Sequence, residues 1–326
     1  MTQYPDPFSQ AAKLDSRIIA RPPYDPELAK LLDATTIPVE FDLDLMRGVS
    51  KDEYQCPHGE TQETEFSANT ILKDKPFLVH EEYSVPGPDN TTLVLSVFTP
   101  KKPASTQRPV LYHMHGGGLV SGDRFTALTP IIDLLEGIDC VVASIEYRLS
   151  PEIPQPGPSE DCYAGLIVLF GISGGGIVAT AVCLMARDRK IPCVPIKGLM
   201  LYAPQLDDRC ETLSDQQYEY GNPTSTPWVR ACWDLALPNI RGTDKVTPYH
   251  APARAEDYSN MPPTYVTLAV QFATNMWRGG STCELHIWPG AYHVFELINN
   301  PDHLLIQASK AAKDNWFKRM MTTRIE

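Results

Sequence analysis

The apolar positions of this chain gather into short runs rich in β-branched and aromatic residues, at Phe77–Tyr83, Thr92–Phe98, Val110–His115, Cys140–Tyr147, Ile167–Gly171, Ile196–Tyr202, Thr264–Val270 and Cys283–Trp288. Runs of this length between polar turns predict β-strands. Cys140–Ile145 and Ile167–Phe170 are almost unbroken in apolar residues, the pattern of strands buried on both faces of a parallel sheet. Helical spacing alternates with the later strands. Gly176–Arg187 is apolar around most of its circumference and closes on Arg187, Arg189 and Lys190, cations that suit a helix C-terminus. The alternation predicts an α/β architecture, a mostly parallel central sheet flanked by helices.

Two stretches fall outside that rhythm. Residues 1–75 are polar and loop-rich, with one helix start at Asp25-Pro26-Glu27-Leu28, where Asp25 caps, Pro26 suits the first helical position and Leu28, Leu31 and Leu32 form a one-sided stripe. They read as a segment covering the body formed by residues 76–326. Residues 205–260 carry many Pro, Asp and Tyr residues and no strand period, with Trp228 and Trp233 on a short helix. An insertion of this length inside a domain is more often functional than idle, so a lid over a site is expected.

Composition narrows the class. With 326 residues, 43% hydrophobic and 21% charged, the chain has the make-up of a globular protein of one large or two ordinary domains. No apolar stretch approaches the ~18 residues of a membrane span. A net charge of −12, with no Lys/Arg cluster before the C-terminus, argues against nucleic acid as a partner. The N-terminus offers neither a basic head nor an apolar core for a secretory signal, which predicts a cytoplasmic protein. The 8 cysteines show no C-x-x-C spacing and are expected to be reduced, buried thiols.

Chemistry concentrates in three places. Gly171-Ile172-Ser173-Gly174-Gly175 is a G-x-S-x-G between an apolar strand and a helix, the arrangement that thrusts a serine hydroxyl out above a sheet as a nucleophile. Read alone, it could also be a packing turn or an anion cradle at a helix N-terminus. His113-Met-His115-Gly116-Gly117-Gly118 ends an earlier strand, and its glycines let backbone N–H groups approach an oxyanion beside the serine. The N–H of Gly174 supplies the remaining donor. Alternate strand residues share a face, so His113 and His115 could hold a metal, but no further ligand stands at useful spacing and scaffold roles fit better. Finally, His293 lies in Trp288-Pro-Gly-Ala-Tyr-His293, a strand end running into a loop after the serine, where a general base belongs.

Together with Tyr147-Arg-Leu-Ser-Pro-Glu152, Glu160-Asp161-Cys-Tyr-Ala, Tyr202-Ala-Pro-Gln-Leu-Asp-Asp208 and Met261-Pro-Pro-Thr-Tyr265, these motifs run in the order of one family. The chain resembles α/β-hydrolases of the hormone-sensitive-lipase-like esterase family over most of its length beyond about residue 75. The resemblance implies Ser173 as nucleophile, His293 as base, an oxyanion hole from Gly117, Gly118 and Gly174, and a cap built from the N-terminal segment and the insertion at 205–260. It implies hydrolysis of small or medium carboxylic esters without a cofactor, and no metal is expected. An intracellular address would fit detoxification or a tailoring step on a small metabolite, and the oligomeric state stays open, a homodimer among the options. The alternative is a receptor-like protein of the same fold, which binds a small molecule without turning it over.

Two departures from the family bear on this choice. Between Tyr147 and Ile167 a full crossover helix is missing, so the connection should be largely loop and the Ile167–Gly171 strand should lose cover on one face. After Met261-Pro-Pro-Thr-Tyr265-Val266, the stretch Thr267–Gly280 carries no acidic residue where the family places the aspartate that orients the histidine. Asp207 and Asp208, at the end of the neighbouring strand, are the candidate substitutes. Glu296 and Asp302 follow His293 too closely in sequence to be attractive.

Overall fold

The computed structural model describes residues 22–33, 41–52, 67–104, 108–163, 168–190, 196–221, 223–298 and 300–322. Its strands are β1 (Leu78–Pro86), β2 (Thr92–Pro100), β3 (Val110–Met114), β4 (Val141–Glu146), β5 (Val168–Ile172), β6 (Gly198–Tyr202), β7 (Thr264–Thr267) and β8 (Cys283–His286). They form one eight-stranded sheet in the order β1-β2-β4-β3-β5-β6-β7-β8. The pairs β1–β2 and β2–β4 are antiparallel, and every later pair is parallel. The outer strand β1 exposes Glu81 and Glu82, charges that discourage edge-to-edge pairing. The inner strands β5 and β6 are buried at every residue, as their unbroken apolar runs require.

The helices are α1 (Pro26–Asp33), α2 (Leu43–Asp52), α3 (Ala68–Asp74), α4 (Thr129–Ile132), α5 (Gly157–Cys162), α6 (Gly174–Arg189), α7 (Leu213–Gln217), α8 (Thr226–Ala236), α9 (Val270–Arg278) and α10 (Leu304–Thr322). They divide between the two faces of the sheet. On one face, α6, α8 and α9 bury Ile177, Val178, Val182, Trp233, Phe272 and Met276 against Leu169, Leu199 and Val266. On the other, α4 and α10 bury Ile131, Ile132, Trp316 and Phe317 against Phe98, Leu111, Phe170 and Tyr265. The six described cysteines are free.

The expected loss of cover over β5 does not occur. Val168 to Ile172 are at most 1% exposed at their apolar side chains. The crossover holds only the short helix α5, as its length dictates, and residues 164–167 lie outside the described part of the chain. Cover comes instead from α6, buried from Gly174 through Met185 and packed directly over the strand it follows. Cys162 of α5 fills the space beside Leu169 and Tyr147. A second difference concerns the run Thr264–Val270, which divides: Leu268 turns into the left-handed region with φ 65, and α9 starts at Val270.

Helix α1 begins where the sequence places its cap. Asp25 Oδ1 accepts from the backbone N–H groups of Glu27 and Leu28 at 2.9 and 3.2 Å. Leu28 and Leu32 then pack against Tyr292, Phe295 and Ile306, which fastens α1 to the loop that carries His293. The Asp25 N–H donates to the Gly290 carbonyl at 2.7 Å, and the Asp25 carboxylate meets His303 at 3.1 Å. Gly290 stands at φ 75, and a Cβ there would lie 2.4 Å from the Asp25 nitrogen, so no other residue lets the two segments approach so closely.

Candidate active site

Ser173 sits between β5 and α6 with φ 51 and ψ −120, a strained backbone for a residue with a side chain. Its neighbours enforce the turn. A Cβ on Gly171 would meet the Gly175 carbonyl oxygen at 2.4 Å, and one on Gly175 would meet the Met114 carbonyl oxygen at 2.1 Å. The Ser173 N–H donates to the Tyr202 carbonyl at 2.9 Å, tying the turn to the end of β6. The hydroxyl that results stands 2.9 Å from His293 Nε2, in position to donate its proton there.

Burial lowers the pKa of His293 to about 4, so the ring is neutral at physiological pH and able to accept. The donors expected to face an oxyanion collect beside it. A Cβ on Gly174 would lie 2.7 Å from the Gly118 nitrogen, which puts the start of α6 against the glycine run after β3. Gly117 and Gly118 have φ 111 and 64, values open to glycine. Among the described residues, the N–H groups of Gly117, Gly118 and Gly174 donate to no other backbone group. They are therefore free to serve a ligand, and the positive end of α6 adds to their field.

His113 and His115 brace this wall. The ring of His113 lies 2.7 Å from Ser144 Oγ, and that of His115 lies 2.7 Å from the Gly116 carbonyl while stacking on Tyr147 with centroids 4.1 Å apart. Burial lowers the pKa of both rings. The Tyr147 hydroxyl donates to the His115 carbonyl at 2.7 Å, which holds the strand end in place.

The substitute acids are placed elsewhere. Asp208 is fully buried, accepts from Arg254 at 2.7 and 2.8 Å and takes the Gly242 N–H at 2.8 Å. Asp207 accepts from Arg209 at 2.7 and 2.8 Å. The expectation that one of them orients His293 is corrected accordingly, because each carboxylate is engaged by its own arginine. Among the described residues, Ser173 is the one hydrogen-bonding partner of His293.

A family model described as alpha/beta hydrolase fold matches residues 111–297, more than half of the chain and the whole span from β3 to the turn after His293. The chain belongs to the α/β-hydrolase family. A second model, the carboxylesterase family, matches residues 43–151. This α/β-hydrolase is 27% identical to the esterase LipI of Mycobacterium tuberculosis over 78% of its own length and 80% of the relative's. It is also 27% identical to an arylesterase of Saccharolobus solfataricus, over 58% of this chain and 62% of that one. Among solved structures, a bacterial heroin esterase superposes with a TM-score of 0.79 at 26% identity, covering 92% of this chain and 98% of the other.

The serine and histidine of the hydrolase open on a cavity of about 220 Å³, lined by Met46, Ile172, Gln205, Trp228, Val229, Cys232, Val294 and Leu297 besides the glycines. Several of these carry no motif and were not legible as site residues. Trp228 and Cys232 stand four residues apart on α8, a spacing that places them on one helix face and was the available signal. Met46 reaches the cavity from α2, which Arg47 anchors by donating to the Val120 and Ser150 carbonyls at 2.6 Å each. Glu296, in the single turn of 3₁₀ helix Phe295–Leu297 after the histidine, has both carboxylate oxygens buried, with the Thr267 hydroxyl facing them.

Proposed function

We propose that the protein hydrolyses small carboxylic esters by covalent catalysis at Ser173. The observation that carries this reading is the 2.9 Å contact between Ser173 Oγ and His293 Nε2 at the mouth of an apolar cavity. Ester hydrolysis is also the activity named for the relatives, the esterase LipI and the arylesterase. In the first half-reaction the Oγ–H proton passes to Nε2 as Oγ bonds to the ester carbonyl carbon. The carbonyl π electrons move onto oxygen, and the N–H groups of Gly117, Gly118 and Gly174 take up the charge. Collapse breaks the bond to the alkoxide, which takes the proton from His293 and leaves as the alcohol. Water then repeats the sequence on the acyl-serine, with His293 again the base, and releases the carboxylic acid.

The cavity supports a short acyl group, because its volume of about 220 Å³ is below the ~300–1,000 Å³ of sites that enclose drug-sized ligands. Met46 from the N-terminal segment and Trp228, Val229 and Cys232 from the insertion at 205–260 act as the cap that sets this size. Trp228→Ala is expected to raise kcat/KM for a longer acyl chain about tenfold relative to acetate, since each methylene that a pocket accepts or refuses is worth roughly 1–3 kcal/mol. Turnover of p-nitrophenyl acetate and octanoate by both forms measures the ratio; an unchanged ratio would remove α8 from the acyl pocket.

A fluorophosphonate tests the reading itself. Labelling of Ser173 in folded protein, located by mass spectrometry and absent from Ser173→Ala, is the expected result. Folded protein that takes no label would leave the receptor-like reading, which the lack of a carboxylate bonded to His293 among the described residues favours.

A further inference from the structure

A serine–histidine pair without an acid leaves the imidazolium that forms on proton transfer unsupported. The structure holds one buried carboxyl group in the same turn as the histidine, and among the described residues no cation forms a salt bridge with it. Tyr292 O accepts the Phe295 N–H at 3.2 Å and Val294 O accepts the Leu297 N–H at 3.0 Å, so His293 and Glu296 belong to one tight fold of backbone, with Val294 left-handed at φ 54 between them. His293 is directed to Ser173, whereas Glu296 faces the end of β7. That is the strand end after which the acidic loop of the family is missing, since Thr267–Gly280 carries no acidic residue.

We propose, on the reading of Ser173 and His293 as nucleophile and base, that Glu296 is the positioning carboxylate of this site and supplies through the shared turn the negative charge that supports protonated His293. Its surroundings suit a group kept for charge rather than for structure. Both oxygens are sealed from water and, among the described residues, no lysine or arginine forms a salt bridge with them, while the Asp208 and Asp161 carboxylates are held by Arg254 and Arg148. Between buried groups, a charge acts over a longer distance than in solvent.

The groups facing Glu296 are Thr267 and Tyr265 from β7, Tyr202 from β6, and Lys313 on α10, with Asp314 beside Lys313. Burial raises the Glu296 pKa to about 7, against the smaller pull of its own backbone N–H, the Thr267 hydroxyl and the Lys313 cation. Tyr202 and Tyr265 are neutral, because burial pushes both phenols upward. Lys313 is buried with its ammonium donating to the Pro130 carbonyl at 2.8 Å. Burial lowers the Lys313 pKa as well, and Glu296, raised to about 7, changes charge near neutrality. Below its pKa it is neutral and His293 lacks support; above it, the carboxylate favours proton uptake by the ring and the reaction quickens.

The experiment is the rate of Ser173 labelling by an uncharged fluorophosphonate as a function of pH. The Oγ–P bond forms, fluoride leaves, and His293 takes the hydroxyl proton, so the rate reports the base directly. Wild-type labelling should rise with pH through about 7, the limb set by Glu296, above the limb at about 4 set by His293 alone. Glu296→Gln should be labelled at least about tenfold more slowly and lose the upper limb, short of the ~10⁴-fold that a directly bonded acid is worth. Glu296→Asp should regain part of the rate together with the limb.

A wild-type profile with a limb at about 4 alone overturns the assignment. So does a Glu296→Gln protein labelled within about twofold of wild type with an unmoved profile. If that variant does not fold, Lys313→Met decides: losing the cation that faces Glu296 must move the limb to higher pH, and an unmoved limb overturns the proposal. Labelling at no pH is the different outcome that defeats the Ser173 reading itself.

Discussion

Ser173→Ala should reduce kcat for a p-nitrophenyl ester about 10⁶-fold while the protein remains folded, the scale seen when a hydrolase nucleophile is removed. The residual rate comes from the N–H groups of Gly117, Gly118 and Gly174, which still polarise a bound carbonyl. His293→Ala should cost about as much, and the double variant hardly more, because nucleophile and base act as one unit. The hydroxyl of Ser173 gains its nucleophilicity by handing its proton to a ring 2.9 Å away, and neither residue has a use without the other. Initial rates of the three variants, with thermal unfolding to confirm the fold, check the claim. Single variants that retain more than about a hundredth of the wild-type rate would place the chemistry elsewhere.

The second large effect concerns stability. Arg254→Met should destabilise the fold by about 3–5 kcal/mol at pH 7, because it leaves the Asp208 carboxylate buried with the Gly242 N–H and no cation. Hydrogen bonds from Arg254 and Gly242, against an opposing cost of burial, hold the Asp208 pKa below the ordinary carboxylate value. The pair therefore contributes fully above the unfolded value of about 3.9 and loses that contribution as pH falls through the lower folded value. Urea unfolding of wild type and variant at pH 7 and near pH 3 should show the gap between them narrowing in acid. A gap that is constant with pH would mean that the cost is packing and not charge.

The sequence and the structure agree where local chemistry decides. An elbow needs glycine on both sides of Ser173, and each of those glycines faces a backbone atom that a Cβ would strike. The continuous apolar run of β5 requires two covered faces and has them. What pattern did not reveal depends on how distant segments meet. Cover for β5 was read from the crossover before it, but α6 after it supplies most of the cover, because that helix is apolar around its whole girth. Asp208 stands at a strand end in sequence, but Arg254, 46 residues further on, takes both its oxygens. Glu296 stands three residues after His293, too close in sequence to suggest itself; in the fold His293 meets Ser173 while Glu296 faces Thr267, which spacing alone does not tell.

The clamp between α1 and the histidine loop carries a consequence for biosynthesis. Asp25 and His303 are 278 residues apart in sequence, yet their contact helps hold the loop on which the base is mounted. Most of the sheet can form while the chain is still being made, as domains commonly do during synthesis. The working histidine cannot be set until the segment from His303 into α10 has emerged and found α1, translated long before it. An intermediate with β5 and α6 formed but α1 and the histidine loop not yet joined would present Ser173 on a finished elbow with no base beside it, so the nucleophile stays chemically silent until those two segments meet.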